Sequence, residues 1–258
     1  MIEFYFLTFY FGAIIGSFLN VVILRLPESK SVVTPRSSCP VCHHMIPWYE
    51  NIPIVSFLFL RGKCSQCKTK ISWQYPLVEL ITALAALFFI GFGYSGLSSL
   101  TVIFFKFTIF CLFLAHFIID IKHYLLLDVL NFYLAGLFLF YGFFYHSFIF
   151  MGLGAAIGGG IPYLVTWLFY KLRGKIGLGG GDIKLWAALG IYLGPLGIIH
   201  NIWLSCTLGA LIGIVMIAFK VISRDEPLPF GPFIIVVAAV QIFKPDLIAS
   251  FLTNFIGF

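Results

Sequence analysis

The run FYFLTFYFGAIIGSFLNVVIL, Phe4 to Leu24, carries no charged side chain in 21 consecutive positions. A helix of ~20 apolar residues rises about 30 Å, the thickness of a bilayer's hydrocarbon core, and closes its backbone hydrogen bonds within itself. Working outward, similar runs recur at 76–93, 98–119, 126–147, 149–170, 183–200, 202–222 and 231–254. The composition agrees: 61% hydrophobic residues, 10% charged residues and a mean hydropathy of +1.04 exclude a water-soluble globule. The fold class read from these runs is an all-α polytopic membrane protein with about eight transmembrane helices. Glu3 stands before the first run where a secretory signal would carry basic residues, and no small-residue cleavage site follows it. The run is therefore expected to stay as an anchor.

Placement of the basic residues sets an orientation. With residue 1 outside, the loops assigned to the cytoplasm hold 14 of the 16 Lys and Arg, leaving only Lys106 and Lys244. Both termini are then expected on the periplasmic side. The net charge of +6 finds its cause in this asymmetry, and no nucleic acid partner is expected. Three parts follow: residues 1–24 as the first transmembrane helix, 25–75 as a small cytoplasmic domain, and 76–258 as a seven-helix membrane domain. Within 25–75, the stretch Ile52 to Leu60 is apolar but too short to cross, so it reads as either a buried core piece or an interfacial segment. Glycines inside the runs, Gly12 and Gly16 among them, read as positions where helices approach closely.

The cytoplasmic domain carries Cys39-Pro40-Val41-Cys42 and Cys64-Ser65-Gln66-Cys67, two Cys-x-x-Cys pairs with 21 residues between them. Each pair presents two thiolates to one ion, and together they complete a tetrahedral four-sulfur site of the structural zinc type. His43 or His44 can substitute for a sulfur, and an iron–sulfur cluster uses the same ligands. A disulfide framework conflicts with a reducing cytosolic loop. Zinc in a closed structural site is the first reading: it would staple a loop too small to build its own core. Cys111 and Cys206 stand singly in spans and read as packing residues.

Most of the ten acids fall at span ends or in loops. Asp182 is different, because it ends the run Gly177-Leu178-Gly179-Gly180-Gly181-Asp182 inside an apolar chain. A carboxylate at the bilayer centre costs roughly 2.5–3.5 kcal/mol, so membrane acids usually face a cavity or a partner. Asp120 closes the third span and Asp182 opens the sixth, which puts both at the same membrane edge. Two carboxyl groups about 3 Å apart do not both ionise readily; one then activates water while the other polarises a carbonyl, as in aspartic proteases. The plainer alternative has both acids simply solvating helix ends, Asp182 favoured there by the helix dipole. A transporter using the same carboxylates for ion or proton coupling is the competing class, although such sites tend to lie at the midplane between repeats. A zinc-dependent assembly scaffold is a third, and would need neither acid.

Several stretches together resemble one family. They are Gly16-Ser17-Phe18-Leu19-Asn20-Val21-Val22 followed by Arg25-Leu26-Pro27, the two Cys-x-x-Cys pairs, Trp48-Tyr49-Glu50-Asn51-Ile52-Pro53, Tyr75-Pro76-Leu77-Val78-Glu79-Leu80, Asp120-Ile121-Lys122-His123, Gly179-Gly180-Gly181-Asp182-Ile183-Lys184, and Pro229-Phe230-Gly231-Pro232. In this order they resemble the bacterial prepilin peptidases, type IV leader peptidases of the Gly-x-Gly-Asp class of intramembrane aspartic proteases. The resemblance implies that Asp120 and Asp182 are the catalytic pair. It implies cleavage of the leader of type IV prepilins and related pseudopilins, the subunits of type IV pili and type II secretion systems, at the cytoplasmic face of the bacterial inner membrane. It also implies N-methylation of the new amino terminus with S-adenosyl-L-methionine, a cofactor that rests on the resemblance alone; the residues that would bind it are unknown. One departure stands out: Leu127-Asp128 replaces the family's Pro-Asp, which leaves Asp128 as a rival to Asp120. Lys184 reads as a topology signal or as a residue that tunes the local potential.

Overall fold

A computed structural model describes residues 2–93, 100–174, 177–223, 228–248 and 250. Its named elements are all helices, and the only strand-like pairings among the described residues are two isolated bridges in the cysteine segment, Ser38 with Met45 and Lys63 with Lys70. Besides a short 3-10 turn at Trp48–Asn51, the helices are α1 (Ile2–Arg25), α2 (Val55–Phe59), α3 (Gln74–Ala86, continued by a π-helical turn Leu87–Phe92), α4 (Leu100–His123), α5 (Asp128–Tyr145), α6 (Phe148–Arg173), α7 (Gly180–Ala218) and α8 (Gly231–Phe243). Six of them are long and apolar enough to cross a membrane, if the π turn is counted with α3. The predicted span ends at 98 and 254, with Lys175, Arg224, Asp225 and Glu226, lie outside the described residues.

The chain divides into two compact units, Met1–Cys111 and Leu112–Phe258. In the first, α1 lies against α3 along its small residues. A β-carbon on Gly12 would stand 2.5 Å from Ala86 Cβ, and one on Gly16 would stand 2.7 Å from Glu79 Cα, so the helices touch backbone to backbone. Asn20, 1% exposed, donates from Nδ2 to the Tyr75 carbonyl at 3.1 Å and ties the carboxyl end of α1 to the start of α3.

In the second unit, α7 departs from the sequence reading. The apolar run was expected to break between 200 and 202; it breaks at Gly194, whose φ of 69° and ψ of −175° belong to a region open almost only to glycine. Pro195 follows with no N–H to continue the ladder. A straight helix of 39 residues would run roughly 58 Å. Instead the chain doubles back: Trp186 Nε1 donates to Asn201 Oδ1 at 3.0 Å, although a continuous helix would hold those residues roughly 22 Å apart. Residues 180–193 and 195–218 are thus two antiparallel limbs. Helix α6 seals them through Gly154, whose backbone meets that of Gly190, and through Gly158, which meets the Trp186 carbonyl and the Ile198 side chain. Asn201 Nδ2 also donates to Gln241 Oε1 at 2.8 Å, and Gln241 Nε2 donates to the Gly197 carbonyl at 2.8 Å, so α8 is stitched to the hairpin by paired polar groups.

Helix α8 is shorter than the predicted run 231–254. It ends at Phe243 because Lys244 precedes Pro245 and takes a non-helical φ of −140°.

Candidate active site

Four helix ends converge in the second unit. Helix α4 stays helical through His123 and is stopped by Tyr124, whose φ is 54° and whose N–H donates to the Asp120 carbonyl at 2.8 Å. Asp120 therefore sits on the last full turn of α4, only 4% exposed. Residues 125–127 then run to the start of α5. Helix α7 begins after Gly179, which places Asp182 in its first turn, where the positive end of the helix dipole favours an acid. A β-carbon on Gly179 would lie 2.9 Å from Asp182 Oδ2, so this carboxylate folds back over the helix start.

Asp120 and Asp182 lie within electrostatic reach of each other. Asp120 Oδ2 also accepts from the Gly231 N–H, the first residue of α8, at 2.9 Å. A β-carbon at Gly231 would press on that oxygen at 2.7 Å and on Leu126 Cδ2 at 2.9 Å. The same Leu126 closes the other side: a β-carbon at Gly181 would meet Leu126 Cβ and its carbonyl oxygen, each at 2.8 Å. Leu126 is therefore a spacer shared by the glycines that precede Asp182 and hold Asp120. Gly180, between Gly179 and Gly181 in sequence, has nothing within 4 Å of its β-position and faces open space.

Asp128 has a different partner. Lys184 Nζ reaches both of its carboxylate oxygens at 2.7 Å, joining the first turns of α5 and α7 across the surface. Beneath that pair, Asn131 Nδ2 donates to the Gly181 carbonyl at 3.3 Å. The two residues that sequence reading treated as a rival acid and a topology charge thus form one exposed clasp. Sequence reading did not single out Asn131, Leu126 or His116. His116 is fully buried one turn before Asp120 on the same face of α4, and neither of its ring nitrogens has a hydrogen-bond partner among the described residues. The available signal was spacing: 116 and 120, like 128 and 131, share a helix face.

The cysteine segment forms a second centre, within the first unit. Its two pairs fold alike. Cys39 N–H donates to the His44 carbonyl at 3.0 Å and Cys64 N–H to the Thr69 carbonyl at 2.9 Å; the residues after the second cysteines, His43 and Lys68, turn through φ of 55° and 59°. The four sulfurs lie within 4.8 Å of one another. Cys39 and Cys67 sulfurs are 3.7 Å apart and Cys42 and Cys64 sulfurs 3.9 Å, far beyond a disulfide bond. A tetrahedron of ~2.3 Å Zn–S bonds has edges of roughly 3.8 Å. The donor set could therefore hold one metal ion. Thr69 Oγ1, 3.2 Å from Cys67 Sγ, and the Thr69 backbone draw that thiol down to about 6.

Known proteins match this chain along most of its length. Residues 10–92 match the bacterial peptidase A24 N-terminal domain, and residues 107–214 match the type IV leader peptidase family. The prepilin leader peptidase/N-methyltransferase of Pseudomonas aeruginosa is 36% identical over 97% of this chain and 94% of its own length. Those of Xanthomonas campestris pv. campestris and Aeromonas hydrophila are each 37% identical, over 93% and 97% of this chain and 92% and 94% of their own lengths. No solved structure matches this chain. Extended likeness on that scale, running through both units, makes this chain a member of the type IV leader peptidase family.

Proposed function

We propose that the chain removes the leader of type IV prepilins or related pseudopilins with Asp120 and Asp182 as its catalytic dyad, and methylates the amino terminus so exposed. The observation that carries this reading is a pair of sheltered carboxyl groups within electrostatic reach of each other where four helix ends converge, beside the open space at Gly180. The ionised member of the pair takes a proton from water while the protonated member hydrogen-bonds the scissile carbonyl. The water oxygen bonds to the carbonyl carbon, and the tetrahedral adduct then collapses. Its C–N bond breaks as the leaving amine takes up a proton, and the dyad returns to one shared proton. The substrate backbone would lie extended along Gly180, where a side chain would intrude. The Asp128–Lys184 clasp holds the starts of α5 and α7 together and touches no reacting atom.

The reaction is assigned to the cytoplasmic edge of the bacterial inner membrane, following the distribution of Lys and Arg. Cys39, Cys42, Cys64 and Cys67 are assigned to one structural zinc ion, which would close a segment with little core of its own. Zinc measured in protein purified without chelators should approach one ion per chain and fall sharply in Cys64→Ser; a protein free of both zinc and iron would remove the metal site. Methyl transfer rests on the shared name of the relatives, S-adenosyl-L-methionine being the donor, and no residue here is assigned to it. Purified chain in liposomes should shorten a synthetic prepilin by its leader and, with the donor added, leave a methylated amine. Proton-coupled solute uptake by those liposomes without any leader removal would favour a transporter instead.

A further inference from the structure

The apolar stretch Ile52 to Leu60 is anchored at a definite depth. Helix α3 with its π turn, Gln74–Phe92, is 19 residues long and rises roughly 28 Å, so its first residue lies at the hydrocarbon boundary. Glu79 is five residues further in and only 7% exposed. A carboxylate there needs partners, and it has them: its Oε2 accepts from the Ile54 N–H at 2.7 Å, and Ser17 of α1 hydrogen-bonds it from the other side. Helical side chains lean toward the amino end, so the Glu79 head group returns toward the boundary and holds Ile54 within about one helical turn of it. The anchor fixes Ile54 in a φ of 63°, an unfavourable conformation for a β-branched residue.

From that anchor the chain continues directly into α2. Phe57 packs on Trp73, the residue just before α3, with ring centroids 5.0 Å apart, a position where tryptophan is favoured at membrane interfaces. Leu58 and Phe59 point away from the protein at 66% and 84% exposure, and Trp73 is itself 68% exposed. Arg61 and Lys63 follow at once, both exposed. An apolar tip with adjacent cations at headgroup level is the pattern of an interfacial segment.

We propose that Val55–Phe59 is a foot that inserts Leu58 and Phe59 into the leaflet beside the start of α3, with Arg61 and Lys63 on anionic headgroups. The foot holds the four-cysteine segment against the membrane, and Glu79 sets its depth. The occupant is lipid, because the cations beside the foot suit anionic headgroups and its anchor sits at the membrane boundary.

The proposal concerns lipid and stands apart from the peptidase reading. It is tested by placing the photoreactive analogue p-benzoylphenylalanine at position 59, or at 58, in full-length chain in nanodiscs containing phosphatidylglycerol. Lipid adducts at 58 and 59, and none at the loop residue Val33, 80% exposed, are expected. Adduct yield should fall with phosphatidylcholine alone and in the Arg61→Gln, Lys63→Gln double variant. Adducts to a second copy or to an added prepilin without lipid adducts, or no adducts at either position, would overturn it; a yield indifferent to headgroup charge would overturn the role of the two cations.

Discussion

Asp120→Asn and Asp182→Asn should each lower prepilin cleavage by roughly 100- to 10,000-fold, the range expected for a positioned acid or base, while Asp128→Asn stays within a few-fold of wild type. The contrast follows from partners. Asp120 and Asp182 act on each other at the convergence of helix ends, whereas Asp128 is held by the exposed Lys184 clasp at 2.7 Å. An exposed pair of that kind is worth about 0–1 kcal/mol, so losing it should loosen α5 from α7 slightly without removing a reacting group. The measurement is initial rate on a full-length prepilin in liposomes, with each variant checked for its folded state by size exclusion in detergent. Retained cleavage in Asp182→Asn would end the dyad mechanism, and loss in Asp128→Asn alone would transfer the second role to Asp128.

Gly231→Ala should cost on the order of 100-fold in kcat with KM nearly unchanged, the scale of loss that follows a displacement of about 1 Å in a reacting group. The added methyl would press on Asp120 Oδ2 from 2.7 Å and on Leu126 from 2.9 Å, moving the carboxylate off the N–H that holds it. Gly231 acts through Asp120 and is a positioning residue. Two controls separate position from folding. Pro232→Ala alters the same helix start while leaving the Gly231 N–H and the space beside it intact, and should cleave nearly as wild type. Methyl transfer to an already shortened pilin should also survive in Gly231→Ala. Equal loss in Pro232→Ala, or a full kcat in Gly231→Ala, would show that the α8 start does not hold the acid.

How far the sequence carried can be seen at α7. Its apolar run and its Gly-Gly-Gly-Asp start were legible, but the break was misplaced, because hydropathy does not distinguish a long helix from two limbs joined by a tight turn. The Gly194-Pro195 pair was the local sign, and its meaning depends on α6 supplying glycines opposite both limbs. The Ile52–Leu60 stretch left two readings open for a similar reason: an apolar run too short to cross has no depth until something holds it. Glu79, 25 residues away, supplies that anchor.

By itself the sequence determined the solvent of this protein, the helical class, the four thiolates and the two acids that merit attention, because charge, apolar length and ligand spacing act locally along the chain. Only the tertiary structure decided which groups meet: Asp120 with the Gly231 N–H, Asp128 with Lys184, Glu79 with Ile54. Those pairings join residues 25 to 111 positions apart. They exist because helices pack where glycines let backbones touch and because sheltered polar groups in an apolar medium must find partners, conditions that no single segment can satisfy alone.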